Sequence, residues 1–292
     1  MSLSIGIVGL PNVGKSTLFN ALVKGHQANV SNYPFTTIDK NIGIVEVPDA
    51  KLERLAKELK LPKKIPATVK FIDIAGLVKN AHKGEGLGNQ FLAHIREVDA
   101  IIHILRSFED KNITHISGKI EPKEDKKIVE FELELAEIKK PTLNVINCSE
   151  DQLKNPPKIG DAIYFCAKTE LELLELTEEE QKQYLAQLGQ KESGLVRIIK
   201  EAYKLLDLIT FYTLLADQIQ AWPIRVGTKA PEAAGKVHSD MQRGFIAAEV
   251  VGSDELLKLG GWDKAREAGK IRTEGKDYQI KDGDVVKFKF AT

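Results

Sequence analysis

Cysteine is scarce: the 292 residues hold two, Cys148 and Cys166. Two thiols without metal-ligand neighbours exclude a cystine-stapled scaffold and fit a reducing compartment. An excess of one charge is missing too, because 42 Lys+Arg face 42 Asp+Glu and the formal net charge is zero. That excludes a polybasic nucleic-acid tail, a membrane-surface peptide and an acidic solvating chain, and no DNA partner is expected. The charged residues are mixed in sign, which argues against general disorder. No apolar run approaches the ~20 residues that cross a bilayer. Met1-Ser-Leu-Ser leads straight into a strand-like segment, without the basic and apolar regions of a secretory leader. The expectation is a soluble, cytoplasmic protein with no membrane contact, monomeric by default.

At about 100–200 residues per domain, the length suggests two domains. The first half alternates apolar strand-like runs (Ile5–Val8, Asn41–Val47, Val69–Ile74, Ala100–Leu105, Leu143–Ile146, Ala162–Phe165) with helical spacing. Asp49 is a candidate cap for a helix with Leu52, Leu55 and Leu59 on one face. Glu124–Lys139 reads as an amphipathic helix with Ile128, Phe131, Leu135 and Ile138 inward, and the charged run Glu121–Lys127 reads as a solvated face. Apolar strands separated by helices predict an α/β fold with a mostly parallel sheet. Past Leu206 the pattern changes to strands at 219–226, 244–251, 270–272, 277–280 and 284–290, with short helices at 230–237 and 253–259. The division is therefore placed at 1–207 and 208–292, the second domain being a small α+β unit.

The sharpest motif is Gly9-Leu-Pro-Asn-Val-Gly14-Lys15-Ser16, which fits G-x-x-x-x-G-K-[ST] between a strand and a helix. Its backbone amides, with Asn12, Val13, Gly14 and Thr17, would curl around phosphate oxygens at a helix N-terminus. Lys15 would bridge the β- and γ-phosphates, and the Ser16 hydroxyl would ligate Mg²⁺. Phe71-Ile-Asp73-Ile-Ala75-Gly76 places an Asp at a strand end, suited to the Mg²⁺ shell, and a Gly whose N–H can reach a γ-phosphate. Between first helix and second strand, Asn32-Tyr-Pro-Phe-Thr36-Thr37 offers Thr37 in preference to Thr36 as a nucleotide-sensing Mg²⁺ ligand. Lys83-Gly-Glu-Gly-Leu-Gly88 would be the partner loop.

These segments, with Phe108-Glu-Asp, His115-Ile-Ser-Gly118, Ala221-Trp-Pro-Ile-Arg-Val-Gly-Thr-Lys-Ala-Pro and Lys281-Asp-Gly-Asp-Val-Val, resemble the YchF or Obg-like ATPase family over nearly the whole chain. The resemblance implies a Ras-like P-loop NTPase domain followed by a TGS domain of β-grasp type. It also implies ATP as substrate with ADP as product, Mg²⁺ and K⁺ as candidate cofactors, and a ribosome or ribosomal RNA partner in translation or stress control. The family's long helical insert is expected to be shortened here to a segment at about 119–140.

In ordinary GTPases an Asn-Lys-x-Asp segment reads guanine through the Asp. Here the corresponding residues are Asn147-Cys148-Ser149-Glu150. Cys removes the aliphatic stem over the base, and Glu displaces the carboxylate by one methylene. A misplaced carboxylate forfeits a bidentate contact, which favours ATP over GTP. Asn147, Cys148 and Glu150 are thus the candidate base-contacting residues. Cys166-Ala167-Lys168 resembles the loop backing the base, with Cys166 as packing. Leu77 stands where many GTPases carry a water-orienting Gln, so slow intrinsic hydrolysis is expected. His115 and His82 are candidates for that task; the resemblance implies His115. His103 reads as a satisfied core histidine. A GTP-hydrolysing regulator and a nucleotide-gated binding module of negligible turnover remain the alternatives.

Overall fold

The computed structural model describes residues 3–28, 41–74, 87–157 and 159–291. The chain divides into two compact units, Met1–Glu46 with Val69–Leu206, and Val47–Thr68 with Asp207–Thr292.

In chain order the elements begin β1 (Ser4–Val8), α1 (Lys15–His26), β2 (Ile42–Glu46), α2 (Ala50–Glu58), β3 (Lys63–Ile65), β4 (Thr68–Asp73), α3 (Leu87–Glu97) and β5 (Ala100–Arg106). They continue with α4 (Pro122–Leu135), β6 (Thr142–Asn147), α5 (Glu150–Lys154), β7 (Ile163–Phe165), α6 (Ala167–Leu173), α7 (Glu178–Gln187) and α8 (Gly194–Leu205). The first sheet has the order β2-β4-β1-β5-β6-β7. β1 runs parallel to β4 and β5, and β6 runs parallel to β5 and β7. Every residue of β1 and β5 is buried, as strands covered on both faces require. Register brings Arg106 beside Asn147 and Asn147 beside Phe165, so these carboxyl ends share one edge of the sheet. In open α/β sheets that edge is where ligands bind.

Helix α4 departs from its apolar spacing. It stops at Leu135, and Glu137 turns with φ 55°. Phe131 and Leu135, expected inside, are 57% and 45% exposed. The inward residues are Asp125, Val129, Glu132 and Leu133. Asp125 is drawn in by His115, so Glu121–Lys127 is not simply a solvated face. Hydrophobic periodicity registers carbon alone, and a buried carboxylate that has found a partner rotates the inward stripe away from it.

The second unit adds β8 (Leu208–Leu214), β9 (Gln218–Arg225), α9 (Ala230–Val237), α10 (Ser239–Arg243), β10 (Phe245–Gly252), α11 (Ser253–Leu259), α12 (Trp262–Glu267), β11 (Arg272–Glu274) and β12 (Asp284–Phe290). Its sheet order is β11-β10-β12-β8-β9-β3, mixed in direction. α9 supplies Ala230, Ala233 and Ala234 to a core with Phe211, Ile224, Val250 and Val286. Several features differ from the sequence pattern: β8, α10 and α12 were not expected, and β11 begins two residues later than the strand expected at 270–272. Residues 277–280 form no strand and contribute one isolated bridge, Lys229 to Gln279. Conversely, α2 and β3, from the first half of the chain, complete this unit. β3 pairs in parallel with β9, and the Tyr212 hydroxyl donates to Asp49 at 2.7 Å. Asp49 also caps α2 as expected, accepting from the Lys51 and Leu52 amides.

Candidate nucleotide site

A cleft of about 840 Å³ opens at the carboxyl edge of the first sheet, walled by three loops of the same unit. The first wall is the glycine loop after β1. A Cβ on Gly9 would lie 2.5 Å from the Ile104 carbonyl oxygen, so glycine lets the loop press against β5. Gly14 has φ 104°, and a Cβ there would lie 2.4 Å from the Asn147 side-chain nitrogen. Gly14 is the N-cap residue of α1, whose first turn carries no acidic residue, leaving its amides and dipole for an anion.

Lys15, 8% exposed, donates from Nζ to its own loop's Leu10 carbonyl at 2.8 Å. Burial pushes its pKa down, and the charge of Asp73 opposes that shift. Asp73 sits at the end of β4, in register with Ile7 of β1. A buried ammonium whose hydrogen-bond acceptor is a loop carbonyl gains by exchanging it for phosphate oxygens.

The second wall carries the base segment. Asn147, 4% exposed, donates from Nδ2 to the Val13 carbonyl at 3.0 Å and accepts the Ala167 N–H at Oδ1 at 3.1 Å. Its amide braces the glycine loop against the loop after β7, leaving one N–H for a ligand. The Cys148 thiol is pushed up to about 12, first by burial, and donates to the Phe165 carbonyl, so it packs as a protonated side chain. Cys166 is buried beside it in one apolar cluster. Glu150 opens α5 at the cleft wall, and its Oε2 accepts from the Tyr184 hydroxyl at 3.0 Å.

The third wall is the loop after β5, and its organiser, Arg106, escapes the chemical reading of the sequence. Arg106 is 1% exposed and gathers this loop from beneath, donating to the carbonyls of Phe108 (3.1 Å) and Ile113 (3.1 Å). Its guanidinium lies 4.4 Å from the centre of the Phe108 ring. Phe108, Glu109, Asp110 and Ile113 then line the cleft. The available signal was a permanent charge ending the largely apolar β5, a residue too costly to bury without a task.

Of the residues expected at the site, Asn12, Gly14, Lys15, Ser16, Thr17, Asn147, Cys148 and Glu150 line this cleft. Val13 is buried and offers its carbonyl to Asn147. Asp73 faces Lys15 through its charge. Thr37, Gly76 and His82 lie outside the described residues.

His115 is adjacent to the cleft but not part of its wall. Its side chain is 3% exposed, with Nε2 2.9 Å from Asp125 and Nδ1 2.8 Å from the Ser117 hydroxyl. The Asn12 side chain joins this loop to the glycine loop, donating to the Thr114 carbonyl at 3.2 Å. His103 is buried as expected, yet its Nε2 has no hydrogen-bond partner.

Among the described residues no group of three His, Cys, Asp or Glu could hold a metal by itself. Ser16 lines the cleft and Asp73 faces Lys15 through its charge, so two hard oxygen donors stand near the same buried ammonium. That set suits an ion completed by phosphate and water, as Mg²⁺ usually is. Also among the described residues, no helix is long and apolar enough to cross a membrane. Of the basic residues between 264 and 272, Arg266, Lys270 and Arg272 pair with Glu249, Glu255 and Glu274.

Comparison with known proteins places this geometry among relatives. Residues 4–148 match the MMR_HSR1 model, described as a 50S ribosome-binding GTPase. Residues 208–291 match YchF-GTPase_C, described as a protein of unknown function. The chain is 42% identical to the ribosome-binding ATPase YchF of Bacillus subtilis, covering 99% of this chain and 100% of the relative. It is 39% identical to the protein of the same description from Escherichia coli O157:H7, covering 99% of each. The Bacillus alignment runs over 365 positions against 292 residues, so part of that relative has no counterpart here. The solved YchF GTPase of Schizosaccharomyces pombe superposes with TM-score 0.83 at 31% identity, over 99% of this chain and 98% of that one.

Proposed function

The chain belongs to the YchF family, and from that premise we propose that it is an ATP-hydrolysing switch that binds the ribosome. Nucleoside triphosphate hydrolysis follows from the family and the P-loop domain. The preference for ATP, the use of Mg²⁺, slow turnover and the ribosomal partner are the further reading. Lys15 carries the nucleotide-binding part of it: a buried ammonium at the cleft floor, at the mouth of a helix free of acidic residues.

In this reading Lys15 and the amides of Asn12–Thr17 hold the β- and γ-phosphates, and Ser16, Asp73 and Thr37 hold Mg²⁺. The ion, when bound, neutralises charge on the transferring phosphoryl group. Gly76 contributes its N–H to the γ-phosphate. Asn147 keeps the glycine loop in register with the base loop, and Cys148 and Glu150 shape the base end. Lys15 stabilises the charge that develops in the transition state, with no covalent intermediate. His115 orients the attacking water once its loop has moved, since both ring nitrogens are engaged elsewhere in the described arrangement. Leu77 cannot take that role, which makes hydrolysis slow without a partner. The curated relatives are described as ribosome-binding, and ribosomes with K⁺ are the natural additions to a turnover assay.

A GTP-hydrolysing regulator is the second reading, favoured by the description of the model matching residues 4–148. Competition of ATP and GTP for one fluorescent nucleotide decides between them. ATP should displace it at lower concentration; equal displacement, or a GTP advantage, would sink the adenine reading.

A further inference from the structure

Glu150 has little freedom in its backbone. Ser149 caps α5 by accepting the Gln152 N–H, and Gln152 Oε1 accepts the Ser149 N–H in return. Gln152 is itself held from β5's exit: its Nε2 donates to the Ser107 carbonyl at 3.2 Å, and the Ser107 hydroxyl donates to Oε1 at 3.1 Å. The start of α5 is therefore fixed at the cleft wall, and what remains to be decided is where the Glu150 carboxylate points.

Tyr184 decides it. This residue lies on α7, anchored by a capping box of Thr177 and Glu180. Its ring packs on the apolar cluster containing Ile146, Leu153 and Leu188, and it does not line the cleft. Its hydroxyl reaches Glu150 Oε2 at 3.0 Å. One carboxylate oxygen is thereby drawn to a side chain outside the cleft wall. Guanine presents two donors on one edge, and a carboxylate reads both only with both oxygens turned to it. Turning both oxygens into the cleft would give up the Tyr184 bond, at the cost of one charge-assisted hydrogen bond on a part-buried hydroxyl. Adenine presents one donor there, so a single oxygen, or a water, is enough.

Resting on the adenine reading above, we propose that Tyr184 is a specificity-determining residue that disfavours guanine by holding Glu150. It touches no nucleotide itself and acts through the carboxylate.

The test is calorimetric titration of ADP and GDP, each with Mg²⁺, into the full chain and the variants Tyr184→Phe, Glu150→Ala and the double variant. Tyr184→Phe keeps the ring on its cluster and removes one hydroxyl. The wild type should prefer ADP, and Tyr184→Phe should lower the ADP-over-GDP affinity ratio about tenfold, mainly through tighter GDP binding. On the Glu150→Ala background the same change should leave the ratio where it was. A wild type indifferent to the base overturns the adenine reading and this proposal with it. A wild-type preference that Tyr184→Phe leaves intact overturns the proposal alone. A shift of equal size in both backgrounds also overturns it, because Tyr184 would then act by something other than Glu150.

Discussion

Asn147 donates to the carbonyl of Val13 at 3.0 Å across 134 residues of sequence, and the same amide accepts from Ala167 at 3.1 Å. One side chain therefore closes the joint between the phosphate end of the cleft and its base end. Asn147→Ala leaves two buried backbone groups without partners. We expect a stability loss of about 2–4 kcal/mol in urea denaturation together with weaker nucleotide binding. Weaker binding at unchanged stability would mean that Asn147 serves the base and not the joint.

His115 presents a different balance, because its neighbour Asp125 is buried with it at 2.9 Å. Burial pushes the Asp125 carboxyl up from its ordinary range, and His115 pulls it back. His115→Ala should cost about 1–3 kcal/mol of stability, since Asp125 is left without its partner. Steady-state phosphate release should fall at least about tenfold, the loss of a group that positions the attacking water, with nucleotide affinity unchanged. Unchanged turnover would make His115 a structural residue of the α4 face.

His103 gives the chain an acid limb. Its pKa is held down at about 3, first by burial and then by the charge of Lys126. Above the unfolded value of about 6.5 neither state binds the proton, and nothing is lost. As pH falls from there toward 3, the unfolded chain takes up a proton that the folded chain refuses, so stability declines. His103→Leu should flatten that part of the stability–pH profile and keep or raise stability at neutral pH, because Nε2 has no partner to lose. A profile equally steep in the variant would assign the acid limb to other groups.

The parallel sheet, the glycine loop and the base segment were legible because each imposes a local pattern. Strands buried on both faces need unbroken apolar runs, and a loop shaped to phosphate needs glycine at fixed spacing. The inward face of α4 was not legible, since its register depends on Asp125 meeting His115 ten residues away. Arg106 was hidden for a related reason: its acceptors are carbonyls, which carry no side-chain signature. The Tyr184–Glu150 bond joins positions 34 residues apart through two helices whose packing no local window contains.

The membership of β3 in the second sheet has a consequence in time. Ile65 aligns with Gln220, and a chain growing at about 5–20 residues per second reaches the second position roughly ten to thirty seconds after the first. Throughout that interval α2 has Leu52 and Leu55 made and their permanent cover unmade. The nascent chain must therefore carry this unfinished edge while the intervening residues of the phosphate-binding unit are still being made. A fragment cut at the boundary that sequence matching draws, residue 208, would inherit the same defect permanently: β9 without its outer neighbour and Tyr212 without Asp49.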